Sequence, residues 1–295
     1  MYVHNELREY TLDDVIAFAW DRHEAWRGGV VLDDVVLRYK FTNVFRVIDR
    51  GSQYLLSLLN VLDDRHDQLA LSYFYRQVNR PDTMDAVISS NGGFIPSFDE
   101  ITSAEWIKDV VWPVIAARPG DFLNGAYIIL IMTNDKRTLS DKMADIFPGA
   151  AQYLNAVAEE DSLATRVKLL HKTPGLGPFL SMQIATDLGY CAGEPDQENT
   201  FILPGPGSRK GVAAVSSKKA EEVIRTFPYD EMPTLPGSNG RPPSWMDVQN
   251  VFCEFSKYVR YWEHPDRVAA REPYRRSDPF DVAIPEQFKI RRKKV

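Results

Sequence analysis

The stretch Thr173-Pro-Gly-Leu-Gly-Pro178 sets two glycines around a leucine between two apolar-periodic segments. Gly175 and Gly177 permit a tight reversal with outward amides, and Leu176 can plug between the flanking helices. The helix that begins near Phe179 adds unpaired N–H groups and the positive end of its dipole. Such a hairpin grips a phosphate without reading sequence; the plainer reading is an ordinary helix-to-helix turn. Gln183 and Asp187 stand four apart on that second helix, pointing one way. An aspartate in mid-helix is mildly unfavourable, which argues for a specific task.

Three other stretches carry chemistry-bearing side chains. In Arg38-Tyr-Lys-Phe-Thr-Asn-Val-Phe-Arg-Val-Ile-Asp49, residues Asn43, Arg46 and Asp49 recur at three-residue steps. On a helix they share one face, suited to a nucleobase edge through the Asn amide and a phosphate through Arg. A surface helix with an Arg–Asp pair would look the same. Leu203-Pro-Gly-Pro-Gly-Ser-Arg-Lys-Gly211 reads as a Gly-rich loop in which Arg209 and Lys210 could cradle a phosphate or pyrophosphate. It is not a P-loop, because no Gly-x4-Gly-Lys-Ser/Thr occurs in the chain, so nucleotide-driven kinase chemistry is not expected of it. In Gln249-Asn-Val-Phe-Cys-Glu-Phe-Ser-Lys-Tyr258, Glu254 and Lys257 lie three apart, and Asp247 lies seven before Glu254. Near a site they serve as base and anion clamp; on an exposed face they are a routine ion pair. The five histidines and two cysteines show no metal-binding spacing.

The elements that must position these groups read as helices. Thr11 is placed to cap a helix with Asp13 and Asp14 in its first turn. Further helices are expected over Tyr54 to Leu62, Leu69 to Val78, Ser103 to Ala117 with a kink at Pro113, Ser140 to Phe147, Ser162 to His171, Phe179 to Gly189 and Ser217 to Phe227. The clearest starts at Ser244, where Ser-Trp-Met-Asp resembles a capping box. Tyr127 to Met132 fits a strand or a buried helix equally well. The Pro/Gly-rich stretches Phe201 to Gly211 and Pro228 to Pro243 read as ordered loops. The expected fold class is therefore mainly α, one structural unit with room for two lobes.

Composition sets the boundaries. With 44% hydrophobic and 26% charged residues in 295, the chain matches a globular protein and not a disordered or fibrous one. No apolar run is long enough to cross a bilayer, and the charged start lacks the apolar middle of a signal peptide, so a cytoplasmic location is expected. The formal net charge is −6, yet from Phe255 onward eleven Lys or Arg stand against six Asp or Glu. A basic end on an acidic body can contact phosphates, or can be a solvated tail.

Arg38 to Arg50, Gly175 to Leu188, Gly205 to Gly211 and Val248 to Tyr258, in that order, resemble the helical domain of the thymine-hypermodification enzymes of bacteriophages. That family comprises α-glutamyl/putrescinyl-thymine pyrophosphorylases, or amino-acid:DNA transferases, and the helical part of 5-hydroxymethyluracil DNA kinases. The resemblance spans roughly Leu32 to Glu263. It implies a helix-hairpin-helix, DNA-glycosylase-like helical domain over 32–263, an N-terminal helical extension over 1–31 and a basic tail over 264–295. It further implies a transferase that displaces pyrophosphate from pyrophosphorylated hydroxymethyluracil in DNA with an amine, an amino acid or a polyamine. On that reading Asp187, Glu254, Arg209 and Lys257 are catalytic, Asn43, Arg46, Asp49, Gln183 and Lys210 bind substrate, and Gly175 and Gly177 hold a DNA phosphate. A divalent metal such as Mg at the pyrophosphate is compatible with the reading but not written in the residues.

Two other readings stay open. Glycosylase-like recognition or excision of a modified base uses the same hairpin, but Phe179 occupies the position of the lyase lysine. Glu194-Pro-Asp-Gln-Glu-Asn199 also lacks the Val-Asp-Thr-His stretch of those enzymes. A non-catalytic DNA-binding module would need only the hairpin and the basic tail.

Overall fold

The computed structural model describes residues 8–118, 122, 136–264 and 284–289. Among them the regular structure is helical, with no β-strand. The chain divides into two compact units, one made of residues 1–49 with 202–295, the other of 50–201. That division runs through the 32–263 span rather than at its ends.

The first unit opens with α1 (Leu12–Arg27) and α2 (Asp34–Arg38). Thr11 caps α1 as its sequence indicates: its backbone N–H and its hydroxyl both donate to Asp14 Oδ2, at 2.8 and 3.1 Å. A left-handed Gly28 ends that helix.

The second unit holds α3 (Arg50–Leu59), α4 (Arg65–Val78), α5 (Pro81–Ser90), α6 (Phe98–Ile101), α7 (Ala104–Trp106), α8 (Trp112–Ala116), α9 (Leu139–Ala158), α10 (Leu163–Leu170) and α11 (Pro178–Cys191). Between α7 and α8 the helix widens into a π turn over Ile107–Val111, directly ahead of Pro113. Helix α4 is the centre of this unit, with every residue from Leu69 to Val78 buried. Tyr73 and Phe74 pack edge-on or tilted against Phe147, and Phe74 against Trp106. The 127–132 segment, read as strand or buried helix, lies outside the described residues.

The chain returns to the first unit with α12 (Pro206–Ala213), α13 (Ala220–Arg225), α14 (Trp245–Glu263) and α15 (Glu286–Lys289). Ser244 and Asp247 form the expected capping box at the start of α14. The core joins α1 to α14: Phe18 contacts Phe41, Phe255 and Tyr258, and Tyr10 meets Phe255 edge-on.

Two expectations are corrected here. The Gly-rich stretch at 203–211 is not a loop: from Pro206 it is helical. Pro206 takes the first helical position, where its missing N–H costs nothing, and the glycines face α14. A Cβ on Gly207 would come within 2.5 Å of Cys253 Sγ, and one on Gly211 would overlap the Phe252 carbonyl. The glycines are thus there for close helix approach rather than for loop flexibility. The 217–227 helix is also shorter than expected, confined to Ala220–Arg225.

Candidate active site

The stretch bearing Asn43, Arg46 and Asp49 is not the expected helix. Residues 40–45 are non-helical and only Arg46–Ile48 form one 3-10 turn, because the polar groups find partners far away in sequence. Arg22, on α1, donates to the Phe41 and Thr42 carbonyls at 3.1 and 3.0 Å and to Asn43 Oδ1 at 2.6 Å. Asn43 Nδ2 closes the turn on the Ile48 carbonyl at 3.2 Å. From the other side α14 supplies acceptors and donors. The Arg46 N–H donates to Asp247 Oδ1 at 2.8 Å, and the Thr42 N–H to Glu254 Oε2 at 3.1 Å. Asn250 Nδ2 donates to Thr42 Oγ1 at 2.8 Å and to the Asn43 carbonyl at 3.3 Å. Asn43, Arg46, Asp247 and Glu254 are all buried, while Asp49 is half-buried with its N–H on the Arg46 carbonyl.

This network fixes Glu254, and Glu254 fixes Lys257: Nζ donates to Oε1 at 2.5 Å. Burial pulls the Lys257 ammonium down, but the Glu254 carboxylate outweighs it and the group ends above the ordinary lysine value. Asp247 is also raised, but here burial is the winning cause. Its full burial raises it, against the hydrogen bonds from Arg46 and Ser244.

Lys257 lines a cleft of about 460 Å³ between α12 and α14. Its other charged walls are Lys210, Arg260 and Glu263, with Ser256 and Cys253 between them. Gly207 forms part of the same wall, so the close packing of α12 on α14 shapes the cleft. Arg209, next to Lys210 on α12, is exposed and is not among the lining residues. The first unit therefore brings Lys210, Lys257 and, through Lys257, Glu254 together. Sequence reasoning missed Arg22, Asn250, Arg260 and Glu263. Lys257, Arg260 and Glu263 recur every third residue on α14, and that spacing was the available signal.

In the second unit α10 and α11 pack against each other and are joined by the 171–177 turn. Gly175 is left-handed at φ 79° and Gly177 is the extended residue that starts α11. Leu176 is buried beneath them, its N–H on the Thr173 carbonyl, and the Tyr73 hydroxyl donates to the Pro174 carbonyl at 3.1 Å. Pro178 takes the first position of α11, where its missing N–H costs nothing. Gln183 and Asp187 are buried on the same helix. Asp187 is wholly enclosed, its two oxygens accepting from Arg76 Nε and Nη2 at 2.7 and 2.8 Å. Arg76 Nη2 also reaches Ser52 Oγ at 3.2 Å.

Among the described residues no three His, Cys, Asp or Glu side chains group so as to hold a metal ion, and no helix is long and apolar enough to cross a membrane.

A family model described as 5-hmdU DNA kinase, helical domain, matches residues 18–267. Neither a curated protein nor a solved structure matches the chain.

Proposed function

The chain belongs to the 5-hmdU DNA kinase helical-domain family, part of the thymine-hypermodification group, and from that premise we propose a transferase acting on a modified pyrimidine in DNA. It displaces pyrophosphate from 5-pyrophosphoryloxymethyl-uracil with an amine. What supports this reading is the cationic cleft of the first unit, whose central ammonium is held in place by a buried carboxylate. Residues 1–295 contain no Gly-x4-Gly-Lys-Ser/Thr, so phosphoryl transfer on a P-loop is not assigned to them.

In the reaction, the amine nitrogen bonds to the exocyclic methylene carbon as the carbon–oxygen bond breaks. Pyrophosphate leaves with the bonding electrons, and the amine gives up a proton. Negative charge grows on the departing group, so preorganised cations lower the barrier. Lys210 and Lys257 supply them, with Arg209 behind on the same helix. Glu254 is not a wall of the cleft; it is a positioning residue for Lys257. The proton is assigned to Glu263, the carboxylate on the cleft wall. Asp187, with both oxygens already accepting from Arg76, is assigned to holding α4 on α11.

A base inside a duplex is unreachable and is flipped out at a cost of about a few kcal/mol. The Gly175–Gly177 turn with the α11 N-terminus is the proposed grip on a DNA phosphate. Asn43, buried with Oδ1 accepting from Arg22 and Nδ2 donating to the Ile48 carbonyl, is the proposed contact to the uracil edge. Arg46 and Asp49 are the proposed contacts to its strand.

The test is to incubate the protein with DNA carrying pyrophosphorylated hydroxymethyluracil and a mixture of amines, then digest and weigh the nucleosides. A new aminated nucleoside with released pyrophosphate is expected. Its absence under every amine removes the transferase reading, and free base with abasic sites would identify a glycosylase instead.

A further inference from the structure

We infer that the second unit holds a phosphate-binding site at the corner between α9 and α10, built from Arg65, Arg166 and the start of α10. It does not depend on the transfer chemistry proposed for the first unit. Two guanidiniums meet there on one carbonyl. Arg166 Nε donates to the Glu160 carbonyl at 2.7 Å, and Arg65 Nη2 donates to the same oxygen. Arg166 Nη1 goes on to Gln197 Oε1 at 3.2 Å. Two buried donors are left without an acceptor, Arg166 Nη2 and Arg65 Nε. The Arg166 side chain is 0% exposed, so an unused N–H on it is costly.

The acid in ion-pair contact with both arginines is Asp161, 3.3 Å from Arg65 Nη1 and 3.9 Å from Arg166 Nη2. The second distance is beyond hydrogen-bond reach, and the Asp161 side chain is 86% exposed. Glu194 and Glu160 also act on Arg166. Burial and the Arg65 charge nevertheless outweigh all three carboxylates and pull the guanidinium below the ordinary arginine value. The corner is short of negative charge. Helix α10 deepens that deficit: Asp161 directly precedes its N-cap, Ser162, whose side chain makes no cap hydrogen bond. The positive dipole end of an eight-residue helix opens on the same corner. The tetrahedral oxygens of a phosphate can accept from two guanidinium forks and from helix amides at once. Asp161 is the internal stand-in for it, on a side chain exposed enough to turn aside into water.

The experiment titrates inorganic phosphate into the full chain at constant ionic strength and reads binding by calorimetry. Arg65→Gln and Asp161→Asn change side chains that reach the surface and leave the buried Arg166 in place. Asp161→Asn is expected to tighten phosphate binding by about fivefold, the scale of one exposed ion pair. Arg65→Gln is expected to weaken it by about tenfold, as for a lost charged hydrogen bond. Phosphate taken up elsewhere on the chain responds to neither variant. Binding indifferent to both, or no binding even in Asp161→Asn, overturns the inference and leaves the arginines as staples of the turn. A second arm measures duplex DNA affinity across a salt series. A slope smaller by about one in Arg65→Gln identifies the ligand as a DNA backbone phosphate. An unchanged slope beside the altered phosphate titration identifies it as free phosphate.

Discussion

Lys257 Nζ lies 2.5 Å from Glu254 Oε1, joining a side chain that faces the α12–α14 cleft to one buried beneath it. Removing the lysine strands a buried carboxylate. Lys257→Met is therefore expected to lower stability by about 1–3 kcal/mol in urea unfolding. Glu254→Gln is expected to spare the fold more while loosening the lysine. The double variant is expected to cost less than the sum of the two, the mark of direct coupling. In the transfer assay Lys257→Met is expected to slow turnover by about 100-fold, as for a lost electrostatic contact to a leaving group.

Arg76 and Asp187 behave as a sealed pair in the second unit, 2% and 0% exposed at their side chains. Breaking one partner leaves an uncompensated buried charge, so Arg76→Met or Asp187→Leu is expected to cost about 3–5 kcal/mol. Replacing both with Leu is expected to recover much of that loss, because two burial penalties vanish together. Denaturant midpoints of the three variants check this.

Gly211 sits where a Cβ would overlap the Phe252 carbonyl. Gly211→Ala is expected to push α12 off α14 and destabilise by about 1–3 kcal/mol, although alanine is the better helix former. The same change is expected to raise KM for the amine donor, since it moves Lys210 relative to Lys257. A thermal melt and a saturation curve read the two effects separately.

Gly175 holds φ 79° in the α10–α11 turn. Gly175→Ala strains that turn by about 1 kcal/mol. If the turn grips a single phosphate, DNA affinity is expected to fall equally on all sequences, with the salt slope reduced by about one. Fluorescence anisotropy across a salt series measures both.

His23 is buried beside the Trp26 and Phe45 rings, with Arg27 and Arg22 nearby. Burial, helped by the two arginines, lowers its value from 6.5 to about 4. The unfolded chain then binds more protons than the folded one between those values. Stability is expected to fall as pH drops from 6.5 toward 4, and His23→Gln to remove that part of the slope. Melting temperatures of both proteins across this range supply the comparison.

Local signals wrote much of the molecule into its sequence. The N-cap at Thr11, the capping box at Ser244, the glycine pair at 175 and 177 and the apolar stripe of α14 each depend on residues within a turn or two, so their spacing suffices to find them. What the tertiary structure alone decided is where distant partners override local preference. Residues 40–45 leave the helix that their three-residue rhythm suggests because Arg22, Asp247 and Glu254, each about 20 or about 200 positions away, satisfy their backbone and side-chain groups. Residues 206–213 become helix because α14 offers a surface that only glycine can approach so closely. Asp187 stands out as a mid-helix aspartate, but nothing in either segment's pattern names Arg76, 111 positions away, as its partner. Burial makes an unpaired charge or amide costly, and that cost is set by what the fold brings near, which periodicity along the chain does not encode.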